Sequence, residues 1–146
     1  MKRWRTAAIA CIVMLLVPVS ALAQYRDLDS AMAGLGRGFE RGEAQPIVEG
    51  VAAGDKVMLD FPGLIRESGF FGKDQASYLL DELFNKTRPS GFRQVSARKQ
   101  SAEGQYHITA TWTVEQGGEA QERDLYITLQ NKNDRWTVAV IRSPNR

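Results

Sequence analysis

The fold of this chain is decided by residues 106–141, which read YHITATWTVEQGGEAQERDLYITLQNKNDRWTVAVI. From Tyr106 to Val114 every second residue is apolar, and the residues between them are histidine and threonine. The same alternation returns in Leu125, Ile127 and Leu129. Such alternation is typical of strands with one buried face. The polar turns at 116–119 and 131–134 therefore predict an antiparallel meander of three strands.

Parity along these strands assigns each residue to one face of the sheet. In the last strand it places Trp136, Val138 and Val140 on the inner, apolar face and Ile141 on the outer face. The inner face is also predicted to hold Tyr106, Ile108, Ala110, Trp112, Val114, Leu125, Ile127 and Leu129. The outer face is predicted to hold His107, Thr109, Thr111, Thr113, Tyr126, Thr128 and Gln130.

The residues before this meander predict three helices and two further strands. An apolar stripe at helical spacing over 28–39 predicts the first helix, and Pro46 favours a second one that runs to about residue 53. A strand follows at 56–61, then a loop at 64–72 that carries Phe70 and Phe71. The third helix, 73–86, is expected to bury Leu79, Leu80, Leu83 and Phe84. A poorly alternating edge strand over 92–99 completes an α+β domain.

The N-terminus has the pattern of a secretory signal peptide. Lys2, Arg3 and Arg5 precede an uncharged run over 6–25, and the small-residue site at 21–23 predicts cleavage after Ala23. Retention of this run as a membrane anchor is the alternative. Cleavage would leave one domain, 24–146, in the periplasm or the extracellular medium, with no membrane attachment.

The composition of the predicted mature chain excludes several classes of function. The only cysteine, Cys11, lies in the signal segment, so neither a disulfide nor a thiol site is expected. Loss of three basic residues from 19 leaves 16 against 17 acidic ones, which gives no basic patch for nucleic acid. With one histidine and no cysteine, no metal site and no cofactor are expected.

This order of elements resembles the nuclear transport factor 2-like superfamily, which includes ketosteroid isomerases. The likeness lies in the opening helix that leads into RGEAQPIV at 41–48, the strand VMLD at 57–60, the helix over 73–86 and the three long strands. The resemblance implies a curved antiparallel sheet wrapped around about three helices, with a pocket at the wide end of the cone. It would make Trp112 the floor, with Trp136 inside and Phe70 and Phe71 near the mouth. Parity adds Tyr106, which shares the inner face with Trp112 and could present a hydroxyl to such a pocket. The same residues are also what a packed core requires.

Catalytic residues are not assigned by the sequence. Isomerases of this fold need a carboxylate base beside an acid, but parity turns Asp60 outward, Asp81 lies off the apolar helix stripe, and His107 faces outward. We therefore predict a non-catalytic exported binding module that holds a small apolar ligand or a protein partner. The alternative is a pocket enzyme of the isomerase or lyase type that uses Tyr106 and an unplaced carboxylate. A monomer or a weak homodimer is expected, with Tyr126 and Ile141 as the best outer-face anchors.

Overall fold

The computed structural model describes residues 27–100 and 104–144, and within them it contains three helices and six strands. The predicted signal peptide, 1–23, lies outside the described residues. The α+β class expected from the sequence is confirmed. In chain order the elements are α1 (Leu28–Arg41), α2 (Gln45–Val48), β1 (Lys56–Asp60), β2 (Gly69–Gly72), α3 (Lys73–Thr87), β3 (Pro89–Gln100), β4 (Gln105–Gln116), β5 (Glu119–Lys132) and β6 (Arg135–Arg142).

The strands form one sheet in the order β2-β1-β6-β5-β4-β3. The predicted meander is β4, β5 and β6, and β1 joins it by parallel pairing with β6. The segment 64–72 was expected to be a loop throughout, which is wrong for its last four residues. They form β2, where Phe71 lies opposite Val57 and both side chains are buried on the inner face. A strand of four residues is too short for an alternating pattern to be recognised in the sequence.

An irregularity in β6 reverses the predicted faces of its last residues. Thr128 pairs with Val140, yet the next residue of β5, Leu129, pairs with Val138, so β6 has one extra residue at this point. Such a β-bulge shifts the alternation of every residue beyond it. Val138 and Ile141 are consequently both buried, while Val140 is half-buried on the outer face. The prediction that Ile141 faces outward and Val140 inward is wrong.

The core lies between the helices and the inner face of the sheet, and Trp112 of β4 stands at its centre. Its indole ring makes edge-to-face contacts with Phe39 of α1, Phe84 of α3 and Phe61 after β1, at centroid distances of 5.5, 6.1 and 6.2 Å. Its Nε1 donates a hydrogen bond of 3.0 Å to the carbonyl oxygen of Phe39. The central ring therefore ties β4 to α1 by both packing and a satisfied polar contact.

The helices differ from expectation in small ways. The second helix was expected to reach residue 53 but ends at Val48, because the Gly50 carbonyl accepts a hydrogen bond of 2.8 Å from the Val138 N–H of β6. In α3, Leu80, Leu83 and Phe84 are buried as predicted, whereas Leu79 is only half-buried.

Asp27 caps the first helix at its N-terminus. The carboxylate accepts the Ser30 backbone N–H at 2.7 Å, a hydrogen bond that lowers the pKa of Asp27. This is the expected geometry of an N-cap, so the charge of Asp27 serves the helix rather than a site.

Candidate functional site

Two aromatic side chains on the inner face form an accessible apolar surface. Tyr106 of β4 and Trp136 of β6 make an edge-to-face pair, with ring centroids 6.1 Å apart and planes at 82°. Both are half-buried, whereas Leu129, which pairs with Tyr106, and Val138, which pairs with Leu129, are 0% and 2% exposed. The pair therefore presents two partly open rings above a closed base of aliphatic side chains.

Trp112, expected as the floor of a pocket, is a core residue in this conformation. None of its surface is accessible to water, either from outside or from an interior cavity, because the side chain is 0% exposed. The three phenyl rings around it fill the space that a ligand would need. The structure thus separates Trp112 from the Tyr106–Trp136 pair.

Phe70 and Phe71 lie on opposite faces of β2 and do not border the same space. Phe71 is 7% exposed on the inner face, opposite Val57. Phe70 is 67% exposed and lies opposite Met58 on the outer face. Their expected common position near one pocket mouth is therefore not what the structure has, because adjacent residues of a strand point to opposite faces.

A groove of about 590 Å³ crosses the outer face of the sheet. Its walls come from three neighbouring strands and the segment after β6: His107, Tyr126, Thr128, Val140, Arg142 and Pro144. The register explains their proximity, because Thr128 pairs with both His107 and Val140, and Tyr126 pairs with Arg142. Val140 takes part only because the bulge turns it outward.

His107 is exposed, as predicted, and both ring nitrogens are engaged. Its Nε2 lies 2.6 Å from Oε1 of Gln100, and its Nδ1 lies 3.2 Å from Oγ1 of Thr128. A histidine held between an amide and a hydroxyl is fixed in orientation as one wall of the groove.

A family model described as a domain of unknown function, DUF4783, matches residues 34–143. The chain belongs to the DUF4783 family. Among curated proteins, none matches the sequence of this DUF4783 domain.

Solved structures confirm the resemblance to the nuclear transport factor 2-like fold. A DUF4783 family protein from Bacteroides ovatus ATCC 8483 has a TM-score of 0.63 at 24% identity, over 78% of this chain and 96% of its own. An NTF-2 like protein of unknown function from Shewanella oneidensis MR-1 has a TM-score of 0.59 at 14% identity, over 79% and 93%. A protein with a ketosteroid isomerase-like fold from Catenulispora acidiphila DSM 44928, solved in complex with trimethylamine, has a TM-score of 0.60 at 9% identity, over 79% and 84%. At these identities the likeness establishes the fold of the DUF4783 domain.

The acidic residues considered as catalytic bases lie away from Tyr106 in this DUF4783 domain. Asp60 is half-buried at the end of β1, and its Oδ1 accepts a hydrogen bond of 2.7 Å from the Ser68 hydroxyl. Asp81 is exposed on α3. Within residues 27–100 and 104–144, no group of three or more histidine, cysteine or acidic side chains is arranged to hold a metal ion. No helix of that same part of the chain is both long enough and apolar enough to cross a membrane.

Sequence reasoning missed one cation on the inner face. Arg123 lies opposite Trp112 in the pairing of β4 and β5, and its Nη2 donates to Oε1 of Gln116 at 3.2 Å. Its Nε is buried and lacks a partner among the described residues. The only available signal was strand parity extended back from Leu125, but the polar residues 119–124 resemble a turn more than a strand.

Proposed function

We propose that this DUF4783 domain is a non-catalytic binding module that holds a small apolar ligand against Tyr106 and Trp136. The observation that supports it is the ring pair, with centroids 6.1 Å apart on the inner face and half-buried above a closed aliphatic base. A ligand seated on these rings would gain about 25 cal/mol for each Å² of apolar surface removed from water. The Tyr106 hydroxyl would orient it through one hydrogen bond.

Binding without turnover is favoured over the isomerase alternative by where the acidic groups lie. Enolisation requires a carboxylate within hydrogen-bond reach of the substrate carbon, next to a donor for the oxyanion. Asp60 is held by Ser68, and Asp81 is exposed on α3. Neither residue is positioned to act together with Tyr106.

The module is proposed to work outside the cytoplasm. The basic start and the small-residue site at 21–23 support export and cleavage after Ala23. In that setting a core of aromatic and aliphatic side chains must stabilise the domain without disulfides, because residues 24–146 contain no cysteine.

The test is a fluorescence titration of the exported protein with N-phenyl-1-naphthylamine, a neutral aromatic probe. We expect probe emission to rise and tryptophan emission to fall through energy transfer from Trp136. Tyr106→Ala should weaken binding at least ten-fold, and Trp136→Phe should reduce the energy transfer while the probe still binds.

Tyr78→Ala is the matched control, because Tyr78 is 70% exposed on α3 and belongs to neither face of the sheet. Its titration should equal that of the unaltered protein. Equal affinity in Tyr106→Ala and Tyr78→Ala, with circular dichroism unchanged in both, would contradict the proposed site.

A further inference from the structure

The outer-face groove has a polar wall made of a cation and hydrogen-bond donors. Arg142 contributes a guanidinium, and Tyr126 contributes a phenol hydroxyl. Tyr126 is 42% exposed and lies opposite Arg142 in the register. Within the described residues, neither side chain has an ion pair or hydrogen bond of its own. Among the residues that the structure describes, no acidic one lines the groove.

Two acidic residues lie near Arg142 on this face, Asp60 of β1 and Asp124 of β5, and Asp124 has an interaction of its own. Asp60 pairs with Arg142 between β1 and β6, so the two residues are neighbours on the outer face. The Asp60 carboxylate instead accepts a hydrogen bond of 2.7 Å from the Ser68 hydroxyl, and no ion pair joins it to Arg142. A charged guanidinium on a partly apolar wall has its strongest complement in a carboxylate, which it contacts through two parallel hydrogen bonds.

The rest of the groove is apolar. Val140 and Pro144 line it beside the ring of Tyr126. The apolar surface continues across the sheet, because Val140 pairs with Met58 and Met58 pairs with Phe70, which is 67% exposed. One end of the groove therefore suits a negative charge, and the adjoining strip suits a flat or aliphatic body.

We propose that this groove is a second binding site, separate from the inner-face pair, for a small organic acid with one carboxylate and an apolar body. The carboxylate pairs with Arg142 and accepts a hydrogen bond from the Tyr126 hydroxyl, while the body lies on Val140 and Pro144. The volume of about 590 Å³ accommodates two fused aromatic rings. This inference does not depend on the proposed function, because it uses the opposite face of the sheet.

The experiment is an NMR titration of the ¹⁵N-labelled exported protein with 2-naphthoate, with its neutral analogue 2-naphthamide titrated in parallel. We expect shifts of the amides of β5 and β6 near Tyr126 and Arg142, and binding of the amide at least ten-fold weaker. Arg142→Gln should weaken the binding of 2-naphthoate at least ten-fold, and Arg142→Lys should weaken it less. Tyr126→Phe should weaken this binding a few-fold. Arg37→Gln, at an exposed position of α1, is the matched control and should change nothing.

Several outcomes would overturn this site. Equal affinity for 2-naphthoate and 2-naphthamide would show that the negative charge does not contribute to binding. Unchanged affinity for 2-naphthoate in a folded Arg142→Gln protein would show that the arginine does not contribute. If Tyr106→Ala abolishes 2-naphthoate binding and Arg142→Gln does not, the acid binds at the inner face, which contradicts the groove but supports the proposed function. Tighter binding of N-acetyl-glycyl-phenylalanine than of 2-naphthoate would assign the groove to a peptide C-terminus instead.

Discussion

Replacing Gly38 with alanine tests the close approach of α1 to α2. A Cβ at this position would lie 2.5 Å from Cγ1 of Ile47 and 2.9 Å from the carbonyl oxygen of Glu43. Ile47 is 1% exposed and belongs to the core, so it can move only by displacing other packed side chains. Overpacking of this kind costs about 1–3 kcal/mol, against which alanine recovers about 1 kcal/mol of helix propensity. Gly38→Ala should therefore lower the free energy of unfolding by about 1 kcal/mol.

Gly36→Ala in the same helix provides the control, with the opposite sign. Its Cβ would lie 3.4 Å from Cδ1 of Phe92, which is close to an ordinary contact, so the gain in helix propensity is largely kept. The stabilities of the two variants should differ by about 2 kcal/mol. The free energy of unfolding falls by about 1–3 kcal/mol per M of urea, so the two denaturation midpoints would differ by about 1 M. Equal midpoints would refute the close approach of the two helices.

Four further predictions follow from the fold and the sequence. Leu83→Ala should cost about 2–5 kcal/mol in chemical denaturation, because Leu83 is 0% exposed, and an unchanged midpoint would mean that α3 packs elsewhere. Mass spectrometry of the protein from a secreting host should find an N-terminus directly after Ala23, and an intact chain in the membrane fraction would contradict export. Light scattering at micromolar concentration should find a monomer or a weak dimer, and a tight dimer would reassign the outer face to self-association. Isomerisation of a β,γ-unsaturated ketone to its conjugated isomer should be no faster in the presence of the protein than in buffer. A faster rate that is lost in Tyr106→Phe would establish catalysis.

The inner face of β4 and β5 was predictable from sequence because its alternation is uninterrupted. Histidine or threonine at every second position from 107 to 113 leaves one assignment for Tyr106 and Trp112, and both lie on the inner face as predicted. Parity also led to the interpretation of His107 as an exposed residue, and the structure agrees. What parity cannot report is depth along the strand, which separates the buried Trp112 from the half-buried Tyr106.

The end of β6 was not predictable, for a physical reason. Residues 138–141 are Val-Ala-Val-Ile, so either phase of the strand places apolar side chains inside, and the pattern carries no information on register. The outer-face groove was missed as a direct result, since it needs Val140 and Arg142 on the outer face, and the predicted phase turned Val140 inward. Arg123 was missed because residues 119–124 are polar and do not predict a strand by themselves. They extend β5 because they pair with β4.

The extra residue in β6 interrupts the alternation of the two faces along the strand. The extra residue is Ala139, because Val138 and Val140 pair with the consecutive residues Leu129 and Thr128 of β5. Deletion of Ala139 would therefore leave a regular strand in which Val138 and Ile141 still face inward and Val140 and Arg142 still face outward. The bulge thus gives this part of β6 one residue that a single-codon deletion can remove without exchanging its two faces. Lineages that share an ancestor with this chain are expected to differ by one residue at this point while they keep the faces of β6.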